Sequence, residues 1–155
     1  MSRLEVPLLS KKVWATGDIV LRAELDLLIR DDNGTLRPET FRVDSGTEMT
    51  SMAAARAKAL DLPMPRNPIF LDINGIRREV RPGLIRARVI GMDGTEHVFP
   101  CYFLGSPDAS LDPNQPPVVA RNLLGLTGVV DKLRILFDGT RTPSARRGVM
   151  IVEKI

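Results

Sequence analysis

Apolar and polar residues alternate through much of the chain. Ile19, Leu21, Ala23, Leu25, Leu27 and Ile29 share one face of an extended segment, with Arg22, Glu24 and Asp26 opposite, which is the period of two of a half-buried strand. Asp32-Asn33-Gly34 predicts a turn, because Asn and Gly tolerate the positive φ of tight hairpins. A second strand over residues 39–43 then returns beside the first and delivers Asp44 at its end. Further strands are expected over residues 69–73, 84–90, 98–104, 133–137 and 149–155, with Asn74-Gly75 and Met92-Asp93-Gly94 as turns.

The alanine-rich run 52–60 predicts a helix, capped by Thr50 or Ser51 and stopped by Pro63 and Pro65. Residues 127–131 have room for one or two more helical turns. Gly105 to Pro117 carries Pro107, Pro113, Pro116 and Pro117 and reads as a surface loop insertion. The apolar pieces Val118-Val119-Ala120 and Leu123-Leu124-Gly125 follow it, and residues 140–148, with Arg141, Arg146 and Arg147, form a basic loop. Many short strands, Gly and Pro turns and one or two short helices predict a single mainly β, barrel-like domain over residues 1–155. There is no internal repeat.

Composition narrows the chemistry. With 155 residues, 43% hydrophobic and 26% charged, the chain reads as a soluble globular protein. No apolar run approaches the roughly 20 residues that span a bilayer, and the first residues lack the apolar core of a secretory signal, so no membrane association and a cytoplasmic location are expected. One cysteine, Cys101, excludes an internal disulfide framework, and one histidine, His97, excludes a zinc site of several Cys and His ligands. No metal and no cofactor are expected. A Cys/His dyad is also excluded: four residues apart on a strand, His97 and Cys101 would stand roughly 13 Å from each other. Cys101 is expected in the core and His97 at an exposed or edge position. The net charge of +3 is scattered, and Gly125-Leu126-Thr127-Gly128 lacks the basic helices of a nucleic-acid clamp, so nucleic acid is not an expected partner.

Carboxylates and hydroxyls remain. Val43-Asp44-Ser45-Gly46-Thr47 places an acid, a hydroxyl and a glycine on a turn at a strand end. Alone, Asp-Ser-Gly is also what an ordinary Asx turn before a helix looks like. Here the pentapeptide resembles the active-site signature of aspartic proteases. Its sequel, Glu48 to Met52 and the alanine-rich run, resembles the retropepsin-like domain of the DNA-damage-inducible ubiquitin-shuttle proteins. Three further stretches match at suitable distances: Asn74-Gly75-Ile76, Val98 to Phe103, and Leu123-Leu124-Gly125 leading to Leu133 through Asp138. Together they cover about Leu21 to Gly139.

The resemblance implies a closed, barrel-like acid-protease fold with Asp44 as the catalytic carboxylate. Ser45 would tie two active-site turns together across a dimer, and Thr47 would hydrogen-bond neighbouring backbone. Asn74, Gly75 and Ile76 would form a substrate-covering flap, and Leu123, Leu124 and Gly125 would pack behind the acid. Gly46 also has a local reason, since a side chain there would obstruct close backbone approach and forbid a positive φ.

Hydrolysis by carboxylates needs two of them, one as base toward water and one as acid toward the peptide. The chain holds one Asp-Ser/Thr-Gly; Phe137-Asp138-Gly139-Thr140 lacks the hydroxyl. A twofold homodimer would supply the second Asp44, with residues 149–155 as an interface strand. A peptide or protein substrate would lie extended beneath the two hairpins. Three features differ from the family pattern. Arg42 replaces an apolar residue and would share Asp44's side of the strand, favouring the ionised carboxylate. Leu126-Thr127 stands where retroviral members carry Arg and then Asn or Asp, and the flap segment has one glycine and no aromatic. These differences motivate an alternative, a catalytically silent dimer of the same fold that binds peptides or serves assembly.

Overall fold

The computed structural model describes residues 2–73, 75–105 and 122–155. Among these residues the elements, in chain order, are β1 (Arg3–Pro7), β2 (Leu9–Lys12), β3 (Ile19–Arg22), β4 (Glu24–Arg30), β5 (Leu36–Val43) and β6 (Thr50–Ala53). Helix α1 (Ala54–Ala59) follows, then β7 (Ile69–Ile73), β8 (Ile76–Val89), β9 (Glu96–Leu104), β10 (Leu123–Leu124), β11 (Leu133–Asp138) and β12 (Val149–Lys154). The chain is mainly β. No helix among the described residues is long and apolar enough to cross a membrane.

A seven-stranded sheet runs in the order β4-β5-β10-β6-β9-β8-β7, and β4 also pairs with β8. The long strand β8 makes this closure possible. Its first part pairs with β7 from Ile76 to Val80, and its last residues reach β4, with Leu27 opposite Val89 and Ile29 opposite Ala87. The strands β4-β5-β10-β6-β9-β8 therefore close into a barrel, which satisfies backbone groups that an open edge would leave unpaired, and β7 extends β8 outside the closure. The expected strand 84–90 is the end of this longer one.

The pleat sorts side chains into and out of the barrel. Leu25, Leu27 and Ile29 on β4, and Phe99, Cys101 and Phe103 on β9, point into a core shared with Phe41, Met52, Leu124 and Leu133. Burial of each large side chain of this kind contributes about 1.5–3 kcal/mol. A separate sheet, β1-β12-β11, turns Met150 and Val152 onto the same core, with Leu4, Val6 and Ile135 packed against it.

Several expectations are corrected. Residues 50–53 are a strand rather than the start of a helix, because Thr50 to Ala53 pair in parallel with Cys101 to Leu104. The helix therefore shrinks to α1, its N-cap is Ala53, and neither Thr50 nor Ser51 caps it. Residues 126–132 form turns rather than regular helix, with the amides of Val129 and Val130 returning to the Leu126 carbonyl. The single strand expected over 19–29 breaks at Ala23. β3 pairs with β2 in a two-stranded ribbon, and Ile19 and Leu21 are exposed there. β12 is the middle strand of its sheet, flanked by β1 and β11, so it has no unpaired edge to offer a partner. His97 is buried, not exposed, because its strand register places it on the inward face of β9. The expected insertion from Gly105 to Pro117 lies, beyond Gly105, outside the described residues, as does Val118-Val119-Ala120. The basic loop 140–148 holds a small turn in which the Ala145 amide donates to Oγ1 of Thr142 at 3.1 Å.

Candidate active site

Asp44 leaves the barrel at the end of β5. The Val43 amide still donates to the Ala23 carbonyl at 2.8 Å, and the Asp44 amide donates to the Leu124 carbonyl at 3.1 Å. The chain then folds back at once. The Gly46 amide donates to Asp44 Oδ1 at 3.0 Å, and the Thr47 amide donates to the Asp44 carbonyl at 3.1 Å. The carboxylate is half-buried, while Ser45 and Gly46 beside it are exposed. Gly46 does not adopt a positive φ. Its constraint is space, since a Cβ there would sit 3.3 Å from Asp44 Oδ1.

β10 lies directly alongside this turn. Leu123 pairs with Arg42 and Leu124 with Val43 in parallel, while Leu123 faces Ser51 of β6 on its other side. Two residues further on, the Leu126 amide donates to the Thr47 carbonyl at 3.1 Å and the Thr127 amide to the Glu48 carbonyl at 2.8 Å. Just before them the Gly125 amide donates to Oγ1 of Thr50 at 3.1 Å. A Cβ on Gly125 would stand 2.5 Å from the carbonyl carbon of Met49. Leu123, Leu124 and Gly125 are thus brought against the acid-bearing turn, with Leu124 in the core. Thr50 is thus brought against the acid-bearing turn rather than to a helix N-terminus. Nothing local distinguishes a hydroxyl that caps a helix from one that accepts an amide from a distant strand.

β7 and β8 form the hairpin expected around Asn74-Gly75-Ile76. Ile73 pairs with Ile76 and Gly75 takes φ +78°, the left-handed conformation that glycine adopts without steric cost. Asn74 itself lies outside the described residues. The hairpin does carry an aromatic in its body: Phe70 on β7 is exposed, with the Arg77 guanidinium 5.2 Å from its ring centre.

Arg42 forms no ion pair with Asp44 among the described residues; its half-buried side chain lines a groove beside β2 and β3. Asp138 is on β11, in the other sheet, where its carboxylate accepts the Thr140 amide at 2.9 Å. His97 and Cys101 share a face of β9, but Phe99 stands between them, stacked on His97 at 5.7 Å. Burial holds the His97 imidazole below its ordinary pKa and pushes the Cys101 thiol up to about 12. Among the described residues no three His, Cys, Asp or Glu side chains are grouped to hold a metal ion.

A closed barrel with an acid-bearing turn at the end of one strand, strapped from behind by a short parallel strand, is a retropepsin-like fold. A solved structure described as a retropepsin-like aspartic protease from Rickettsia conorii superposes on this chain with a TM-score of 0.51, over 98% of this chain and 92% of that one, at 12% identity. No protein-family model matches the chain, and no curated protein matches it in sequence.

Proposed function

We propose that this chain is an aspartic endopeptidase and that Asp44 is its catalytic residue, one carboxylate of a pair completed by the partner subunit's Asp44. The observation that carries the reading is the construction of the Asp44 turn. The Leu124 carbonyl holds its amide, the Gly46 amide holds one carboxylate oxygen, and the other oxygen is left for chemistry. In a twofold dimer two such turns meet, and two close carboxylates share one proton because both cannot easily ionise together.

The ionised member takes a proton from water as the water oxygen attacks the peptide carbonyl carbon, and the protonated member gives its proton to the carbonyl oxygen. The tetrahedral diol then collapses, the C–N bond breaks, and the nitrogen leaves with a proton from the pair. The two apparent pKa values of this pair belong to both carboxylates together. Ser45, exposed beside Asp44, would hydrogen-bond across the axis, and Thr47 and Gly125 would hold the turn from behind. The β7–β8 hairpin, with Gly75 at its bend, would cover an extended substrate held mainly through its backbone.

The test is a quenched-peptide library assayed from acid to neutral pH, with the mass in solution measured in parallel. Cleavage is expected to require the dimer and to fall at least about a thousandfold in Asp44→Asn. Cleavage that survives the substitution removes Asp44 from the chemistry. A verified dimer that cuts nothing favours the peptide-binding alternative that Leu126-Thr127 and Arg42 motivate.

A further inference from the structure

The β2–β3 ribbon stands apart from both larger sheets, and a groove of about 330 Å³ runs between it and β5. Lys11, Lys12, Arg22 and Arg42 line this groove with Trp14 and Val20, and no acid is among its lining residues. Lys11, Lys12 and Arg42 form no ion pair among the described residues. Arg22 pairs with Glu24 at 3.1 Å, yet its Nε is buried without a hydrogen-bond partner. Trp14 is 89% exposed, with the Lys12 ammonium 5.6 Å from its ring centre.

The ribbon is also unfinished as a sheet. Among the described residues β2 and β3 pair only with each other, so each has an open outer edge. Ile19, Val20 and Leu21 are consecutive and exposed. Two strands alone are marginally stable in water, and a third strand is the usual remedy. Main-chain donors and acceptors along an open edge, side by side with a row of cations, match an extended polypeptide whose side chains include carboxylates.

We infer that this groove binds an extended acidic segment of a polypeptide and so makes acidic sequence flanking the scissile bond a determinant of the substrate. Its link to catalysis rests on the reading of Asp44 given above, because Arg42 is on β5 two residues before the acid that follows the strand. An anionic bilayer would meet the same charges but has no strand to add to the ribbon's edge.

The test uses the full chain carrying Asp44→Asn, so that binding is read without turnover. Fluorescein-labelled peptides of alternating Glu and Val, or of alternating Lys and Val, are titrated by anisotropy, while emission of Trp14, the chain's one tryptophan, is followed. The Glu-Val peptide is expected to bind and perturb Trp14, with affinity that weakens as salt rises, and the Lys-Val peptide to bind much less. Lys11→Glu and Arg42→Glu should each weaken the Glu-Val complex by about two- to fivefold, and the double variant should invert the preference between the two peptides. Lys11 is exposed on the ribbon, so its variant does not depend on refolding the barrel. Equal binding of both peptides, unchanged affinity in Lys11→Glu, or tighter binding of phosphatidylserine vesicles than of the Glu-Val peptide would overturn the inference. The two readings fail separately. Absence of proteolysis in the parent chain leaves this binding in place, and cleavage of neutral peptides without acidic-peptide binding removes the groove but keeps the protease.

Discussion

Gly125 donates its amide hydrogen to Oγ1 of Thr50 at 3.1 Å, which pins the end of β10 to the start of β6. β6 follows the acid turn and β10 lies beside the strand that precedes it, so this bond closes the turn from both sides. Thr50 is fully buried, and the Gly125 amide has no water to fall back on.

Gly125→Ala should therefore be severely destabilising. The added methyl would meet the Met49 carbonyl carbon at 2.5 Å, and backbone cannot move aside as a flexible side chain would. A loss of about 1–3 kcal/mol or more is expected from such overpacking. Urea unfolding monitored by circular dichroism checks it, and a variant as stable as the parent would contradict the close approach.

Thr50→Val keeps shape and strand preference but removes the acceptor. A buried amide left unpaired costs about 1–3 kcal/mol, and here the cost falls next to the acid turn. Amide hydrogen exchange at Gly125 should accelerate by more than at residues on β12. Thr50→Ser, which restores the hydroxyl, should recover most of the protection.

Stability should decline toward acid in two stages. Burial holds His97 below its ordinary pKa, so the unfolded chain binds that proton more readily. The stabilisation from neutral His97 is complete above about pH 6.5 and is lost as pH falls below it. Burial works against ionisation of Asp31, but hydrogen bonds from Thr35, Arg37 and Asn33 outweigh it and hold the carboxyl below its usual range. Lys154, at 2.7 Å, and Thr95 hold Asp93 lower still. Their contribution is present above about pH 4 and lost as pH falls through the folded-state values. Thermal midpoints should fall below about pH 6.5 and more steeply below about pH 4. Asp31→Asn should lower stability at neutral pH and flatten the lower branch; an unchanged lower branch would mean that Asp31 is not among its causes.

Cys101 should be inert to thiol reagents in the folded protein. Its side chain is fully buried, and the thiol is pushed up to about 12 by that burial, so the reactive thiolate is scarce and shielded. Labelling with an aromatic disulfide should be slow in native buffer and rapid in denaturant. Fast native labelling would require β9 to open.

Where a side chain faces depends on the pleat, and the pleat is written locally. Leu25, Leu27 and Ile29 are recognisable as one buried face from their spacing, and Phe99, Cys101 and Phe103 follow the same rule. The tight turns at Asn33-Gly34 and at Gly75 follow from residue types that accept positive φ. The acid turn is equally local. Asp44, Ser45 and Gly46 specify it within a few residues, and the Gly46 amide returning to the Asp44 carboxylate closes it.

Which strands become neighbours is a different question, because hydrogen bonds between distant segments depend on the whole packed chain. Met52 and Ala53 are good helix formers, yet pairing of Thr50 to Ala53 with Cys101 to Leu104 draws them into the barrel. Leu123 and Leu124 are only two strand residues, and their place between β5 and β6 exists because the rest of the barrel leaves a gap there. β1 and β2 carry no strand signal of their own, since their short, mixed sequences pair only with β12 and β3. The sequence by itself determined a mainly β chain with an acid presented on a glycine-containing turn. Only the tertiary structure decided what stands behind that acid, that β12 is enclosed, and that four cations meet beside β5, because each depends on residues far apart in the chain being held together by the same closed sheet.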